Sequence, residues 1–205
     1  MKVSVSILKE KNNIEKVISK LNDTDCDFIH LDIMDKTFTE SSSFELSYFK
    51  NINTNKKYDI HIMSTNLEYQ INEAIKLNPE YITIHYEASN DISKYIKIIK
   101  DNNIKAGLAI SPNTNYADIV DLLSNIDLLL VMSVEPGKGG QEFIMDTISK
   151  LEEINSNNHK FIISVDGGIN KKTIEYVNKY VDMVVSGSFI TSSINYQKSI
   201  DVLKM

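Results

Sequence analysis

The chain has 205 residues, 42% hydrophobic and 24% charged, with 7 Gly and 3 Pro; it can bury one sizeable core, and this composition excludes disordered, collagenous and fibrous classes. A net charge of −6 speaks against the basic face that a nucleic-acid partner requires, and no apolar run approaches the ~20 residues of a membrane span. All 22 basic residues are lysine, so no guanidinium fork is present to hold a phosphate or a carboxylate. Met1 to Leu8 is too short and too polar for a secretory signal, and the one cysteine, Cys26, reads as core filling. The expectation is a cytoplasmic protein with a small-molecule partner, no nucleic acid and no membrane.

Taken in order, eight short Ile/Val-rich runs read as buried strands: Val3–Leu8, Asp27–Ile33, Tyr58–Met63, Tyr81–His85, Ile104–Ile110, Asp127–Ser133, Phe161–Val165 and Val181–Ser186. Amphipathic stretches separate them. Asn66–Leu77 carries Leu67, Ile71, Ala74, Ile75 and Leu77 on one helical face, and Tyr95–Ile99 with its neighbours has the same period. Eight units in 205 residues leave about 25 residues each, enough for a strand, a crossover helix and two tight loops. Strict alternation predicts a parallel sheet, and eight repeats favour a closed (β/α)8 TIM barrel over an open doubly wound sheet, with residues 1–205 as one domain.

In such a barrel the active face lies at the strand C-terminal ends, and reactive residues gather there: Ser6, His30, Asp32, His61, His85, Asp166, Gly187 and Ser188. His159 falls at the opposite end. Period-two alternation puts His30 and Asp32 on one face of their strand with Leu31 on the other. Adding His61 and Asp166 gives two imidazoles and two carboxylates, a donor set suited to Zn²⁺, Fe²⁺ or Mn²⁺. His85 is read as a supporting residue. Six of the seven glycines, Gly137, Gly139, Gly140, Gly167, Gly168 and Gly187, follow strands 6, 7 and 8, where exposed backbone N–H groups and helix N-termini favour an anion. Met34, Met63 and Met132, at strand ends, read by position alone as gap fillers.

Six segments together resemble the ribulose-phosphate 3-epimerase family over nearly the whole chain: Ser6-Ile7-Leu8, His30-Leu31-Asp32-Ile33-Met34-Asp35, Asp59-Ile60-His61-Ile62-Met63, Val131 to Gln141, Val165-Asp166-Gly167-Gly168 and Gly187-Ser188. The resemblance implies a ribulose-phosphate-binding (β/α)8 barrel. It would interconvert D-ribulose 5-phosphate and D-xylulose 5-phosphate in the pentose phosphate pathway with one divalent metal (Zn, Fe(II), Mn or Co), as a dimer or hexamer. By the same resemblance His30, Asp32, His61 and Asp166 are metal ligands, and Asp32 and Asp166 are also the acid/base pair. Ser6 and His61 touch substrate; Gly137, Lys138, Gly139, Gly140, Gly167, Gly168, Gly187 and Ser188 hold substrate and phosphate; and Met34, Met63 and Met132 form an apolar cap, in place of the gap-filling role.

The chain departs from the family at Lys36-Thr37-Phe38-Thr39-Glu40-Ser41, where Gly-His-Phe-Val-Pro-Asn is usual, at Lys9-Glu10-Lys11 in place of Ser-Ala-Asp, and at Lys138 in place of phenylalanine. Two further readings therefore stay open: a 3-epimerase acting on allulose 6-phosphate, and a non-catalytic phosphosugar-binding barrel. A metal-free barrel of amino-acid biosynthesis would leave the His/Asp quartet without a purpose. Without an arginine, the phosphate is expected to rest on backbone N–H groups with Lys138 as a peripheral helper.

Overall fold

Alternation along each strand divides the side chains between two cores, and that division closes the sheet. The computed structural model describes residues 1–204. Its strands are β1 (Lys2–Ser6), β2 (Phe28–Met34), β3 (Lys57–Met63), β4 (Tyr81–His85), β5 (Lys105–Ile110), β6 (Leu128–Met132), β7 (Ile162–Asp166) and β8 (Met183–Ser186). All eight are parallel and pair in sequential order, with β8 returning to β1 to close the barrel. Closure leaves no edge strand with unpaired backbone.

The outward residues of β2, Ile29, Leu31 and Ile33, join the large core between barrel and helices, together with Val3, Val5, Ile60, Ile62, Ile82 and Ile84. The inward apolar residues form a second, smaller core that includes Phe28, Tyr81, Leu128, Leu130, Met183 and Val185. Phe28 and Tyr81 meet edge to face at 5.6 Å, and the Lys2 and Lys105 ammonium groups lie over those rings at 5.5 and 5.3 Å. Hydrophobic packing thus plugs the N-terminal end of the barrel, and polar residues are left to fill the other end.

The outer ring contains helices α1 (Ile14–Asn22), α2 (Leu67–Ile75), α3 (Ile92–Asp101), α4 (Thr147–Ser156), α5 (Ile174–Val177), α6 (Ser188–Thr191) and α7 (Tyr196–Lys204). The α1 face is set by Ile14, Val17, Ile18 and Leu21, all buried. After β2 and β5 the expected helix is replaced by 3-10 segments, Leu46–Asn51 and Tyr116–Asn125. After β2 the chain doubles back first: Asp35 bridges antiparallel to Ser42, and the Ser43 hydroxyl donates to the Asp32 carbonyl at 2.5 Å. Few residues then remain for a full helix. Strand limits move by one or two residues from those expected. β1 stops at Ser6 because Glu10 N–H bonds back to the Ile7 carbonyl in a turn, and Asp166 belongs to β7, paired with Met132 and Val185, instead of following it.

Candidate metal centre and active site

The C-terminal end of the barrel is polar because the inward positions of β2, β3 and β7 carry His30, Asp32, Asp59, His61 and Asp166. Parallel register sets His30 beside Asp59 and Asp32 beside His61. One donor atom each from His30, Asp32, His61 and Asp166 lies within 4.8 Å of all the others. The His30 Nε2 to Asp32 Oδ1 distance is 3.4 Å and the His61 Nδ1 to Asp32 Oδ1 distance 3.3 Å; Asp166 Oδ2 is 4.0 Å from both imidazole nitrogens. Ligands at ~2.1 Å around a tetrahedral ion stand about 3.4 Å apart, so the quartet has the spread of a ligand cage.

The hydrogen bonds behind the quartet fix which imidazole nitrogen faces inward. His30 Nδ1 bonds Asp59 Oδ2 at 2.8 Å, and the Ser4 hydroxyl donates to the same oxygen at 2.8 Å. His30 Nε2 is fully buried with no hydrogen-bond partner among the described residues. A buried imidazole nitrogen facing two carboxylates calls for positive charge between them, from its own proton in the ion-free protein or from a metal ion that displaces that proton. His61 is held from its other side: its Nε2 lies 2.9 Å from His85 Nε2, and His85 Nδ1 lies 3.0 Å from Glu87 Oε2. Glu87 Oε1 accepts from Ser111 N–H at 2.9 Å and from the Thr114 hydroxyl. The chain is satisfied when His61 donates to His85 and His85 donates to Glu87, which leaves the His61 Nδ1 lone pair facing Asp32 and Asp166.

Electrostatics separate the two carboxylates. Burial opposes the Asp32 charge, but the positive charge of His30, 3.4 Å away, outweighs it and holds the carboxyl well below the usual range. Burial and the neighbouring Asp32 charge push Asp166 up to about 7. Burial opposes protonation of His30, yet Asp32 and Asp59 raise it well above the ordinary histidine value, whereas burial lowers His61. Burial also takes His85 down to about 4, and hydrogen bonds from His85 and Thr114 outweigh burial at Glu87, which falls to about 2. His85 is thus neutral at physiological pH, as its place in the chain requires.

A cavity of about 370 Å³ opens above the quartet. Its wall contains Ser6, Asp32, Met63, Met132, Gly137, Lys138, Gly139, Gly140, Asp166, Gly167, Gly168, Gly187 and Ser188. His30 and His61 lie beneath it, fully buried. Met34 is buried at the end of β2 and is not part of the wall, so only two of the three methionines reach the cavity. Ser6 Oγ donates to Asp32 Oδ2 at 2.7 Å. The loops after β6, β7 and β8 are tied together: the Ser133 hydroxyl shares its hydrogen between the Asp166 and Gly167 carbonyls, 2.8 and 2.7 Å away, and the Ser186 hydroxyl donates to the Ile169 carbonyl at 2.8 Å. Gly168 has φ +64°, and a Cβ there would lie 2.7 Å from the Phe143 backbone nitrogen. Since α5 and α6 have four residues each, their termini offer little helix dipole, and an anion at this end of the cavity would have to rely on the glycine backbone.

The altered segment after β2 lies against the loop after β6 and is not part of the wall of this cavity. Phe38 packs on the His85 ring at 4.7 Å between centroids, and a Cβ at Gly137 would lie 3.0 Å from Thr39 Cβ. Asp35 secures the turn by accepting from Thr37 N–H at 3.1 Å and Ser64 Oγ at 2.6 Å, while Lys36 takes φ +67°. Asp59, Glu87 and Lys9 are site residues that the sequence reading did not single out. Asp59 shares the alternation of His61 and so carried a signal; Glu87 lies in the 3-10 turn Tyr86–Ala88 beyond β4 and carried none, and Lys9 stood out only as a departure from the family pattern.

Comparison with known proteins agrees with this geometry. The family model described as "Ribulose-phosphate 3 epimerase family" matches residues 2–191. The chain is 35% identical to the ribulose-phosphate 3-epimerase of Buchnera aphidicola subsp. Baizongia pistaciae, over 87% of this chain and 84% of that protein. It is 32% identical to the one from Helicobacter pylori strain J99 over 100% and 97%, and 31% identical to the one from Escherichia coli K12 over 87% and 83%. Among solved structures the backbone is similar to a thiamine phosphate pyrophosphorylase from Pyrococcus furiosus (TM-score 0.70, 15% identity, 99% of this chain and 93% of that one). It is also similar to a 3-hexulose-6-phosphate synthase from Salmonella typhimurium (TM-score 0.68, 18% identity, 99% and 96%), and both likenesses concern the fold alone. With a His/Asp cage at the mouth of a closed (β/α)8 barrel and these relatives spanning most of its length, the chain belongs to the ribulose-phosphate 3-epimerase family, an isomerase family acting on carbohydrates.

Proposed function

We propose that this protein interconverts D-ribulose 5-phosphate and D-xylulose 5-phosphate by moving the C3 proton between Asp32 and Asp166, with a divalent ion held by His30, Asp32, His61 and Asp166. The observation that carries the reading is the pair of carboxylates. They come from β2 and β7, with β1 and β8 between them, both line the cavity, and their environments drive their proton affinities in opposite directions. Epimerisation beside a ketone needs one group to take the proton and another to return it on the opposite face, and such a split pair supplies both at neutral pH. Asp32, oriented by the Ser6 hydroxyl, takes the proton from one face and Asp166 returns one on the other, and the roles exchange in the reverse direction.

A bound divalent ion would supply positive charge beside the C2 carbonyl, making the adjacent C–H more acidic. Met63 and Met132 present an apolar, polarizable surface that keeps water from the reacting carbons. The glycine loops after β6, β7 and β8 take the phosphate on backbone N–H groups. A second cavity of about 410 Å³ adjoins the first between Phe38–Ser41 and Glu135–Gln141, and it leaves room for a six-carbon ketose phosphate. A coupled assay of D-xylulose 5-phosphate formation, run beside allulose 6-phosphate, tests the reading. Activity should vanish on metal stripping and return with a divalent ion. Full turnover by a preparation free of divalent metal would refute the proposed mechanism, and the better kcat/KM identifies the substrate.

A further inference from the structure

We infer that Lys9, in the loop after β1, is the cation that pairs with the substrate's phosphate and makes the site select phosphorylated ketoses. The inference rests on the sugar-phosphate reading above. The Lys9 stem runs along the phosphate loop: an ideal Cβ at Gly139 would lie 3.4 Å from both Cγ and Cε of Lys9. Its Nζ reaches further, to 2.0 Å from the Cβ position of Gly140, where φ is +78°. The ammonium therefore occupies the space that the missing side chain at 140 leaves free. A side chain at Gly140 would displace it, whereas one at Gly139 would only touch its stem. Lys11, two residues on, is spent differently, donating to the Ser42 carbonyl at 2.7 Å, whereas among the described residues Lys9 forms no hydrogen bond or ion pair.

Charge balance gives that placement its meaning. The cavity wall holds three carboxylates, Asp32, Glu135 and Asp166, and only two cations, Lys9 and Lys138. A phosphate dianion entering a protein of net charge −6 meets repulsion that neutral backbone N–H groups do not fully offset. Lys138 also borders the second cavity, and its carbonyl is held by Gln141 Nε2 at 2.8 Å. Lys9 has its ammonium over Gly140 itself and forms part of the wall of the first cavity alone. A long side chain on a flexible stem supplies a point charge and does not need the rigid fork of an arginine.

The test uses the full-length, metal-loaded protein and inorganic phosphate as probe, with Lys9→Met, Lys9→Arg and Lys138→Met, at low and high ionic strength. At low salt Lys9→Met should weaken phosphate binding at least ~10-fold and flatten its salt dependence, while Lys9→Arg stays within about 3-fold of the parent. Lys138→Met should lose less than Lys9→Met. With ribulose 5-phosphate the Lys9→Met loss should fall on KM, with kcat nearly unchanged. Phosphate binding by Lys9→Met within about twofold of the parent at both salt levels would overturn the assignment, as would a larger loss in Lys138→Met. If the parent binds phosphate through Lys9 but fails to epimerise ribulose 5-phosphate, the substrate reading falls and the anion site stands.

Discussion

Replacing Asp59 with asparagine changes the charge behind a metal ligand while keeping the side-chain volume and one acceptor oxygen. Asp59 is 2% exposed, and its Oδ2 receives both His30 Nδ1 and the Ser4 hydroxyl at 2.8 Å. Two effects oppose each other. Loss of the Asp59 charge lowers the proton affinity of His30, which eases displacement of its proton by an ion. The same loss weakens attraction for the ion, and a divalent ion carries twice the charge of the proton it displaces, so the second effect wins. Exchanging a charge-assisted hydrogen bond for a neutral one costs about 1.5 kcal/mol, a little over 10-fold in affinity, and the weaker orientation of the ring extends this toward about 100-fold. Competition against a chelator of known affinity, on protein whose fold is verified by circular dichroism, measures it. Affinity for Zn²⁺ or Co²⁺ within twofold of the parent would refute the reasoning and leave Asp59 as a structural partner of Ser4.

Other substitutions probe the remaining parts of the site. Asp166→Asn should lower kcat at least ~10²-fold at saturating metal with little change in melting temperature, and near-normal turnover would move the proton donor elsewhere. Gly168→Ala should destabilise the protein by about 1–3 kcal/mol and raise KM, since its Cβ meets Phe143 backbone and φ is +64°; Gly140→Ala should cost less stability because Lys9 Nζ can swing away. His85 falls to about 4 in the fold against an ordinary 6.5, so its neutral form contributes stability above pH 6.5 that is lost as pH falls toward 4. At pH 5 the loss is about 2 kcal/mol, and in His85→Gln the drop in unfolding free energy between pH 7 and pH 5 should shrink by that amount; an unchanged drop in chemical denaturation would contradict the shift. Chelation should lower the melting temperature of the parent, and adding back a divalent ion should restore it.

Much of this molecule is legible in its sequence because period-two alternation survives folding. His30 and Asp32 share a face, and the barrel interior holds both. The six clustered glycines line one cavity, and at Gly168 the reason is plain, since a Cβ there would meet the Phe143 backbone. Asp59 obeys that alternation beside His61, but its hydrogen bond to His30 on the neighbouring strand becomes visible only when the register is known, and Glu87 reaches His85 from a 3-10 turn beyond the end of β4 that alternation does not describe. The 3-10 segments after β2 and β5 escape notice because apolar spacing does not separate them from α-helix, and Asp35, Ser42 and Ser43 use up chain length through contacts with β2 that have no periodic signature. Lys9 lies in a loop beyond β1 and meets Gly140 from the far end of the sequence, so only the closed barrel brings them together.

In the proposed reaction Asp32 and Asp166 exchange the C3 proton from opposite faces of the substrate. Metal-loaded protein incubated with D-ribulose 5-phosphate in heavy water, followed by proton NMR, tests it most directly. Deuterium should appear at C3 of the D-xylulose 5-phosphate formed and, as the reaction approaches equilibrium, of the recovered ribulose 5-phosphate, with both exchange and epimerisation suppressed in Asp32→Asn and Asp166→Asn. Epimerisation that retained the original proton at C3 throughout, or exchange that proceeded at the parent rate in both variants, would contradict the account.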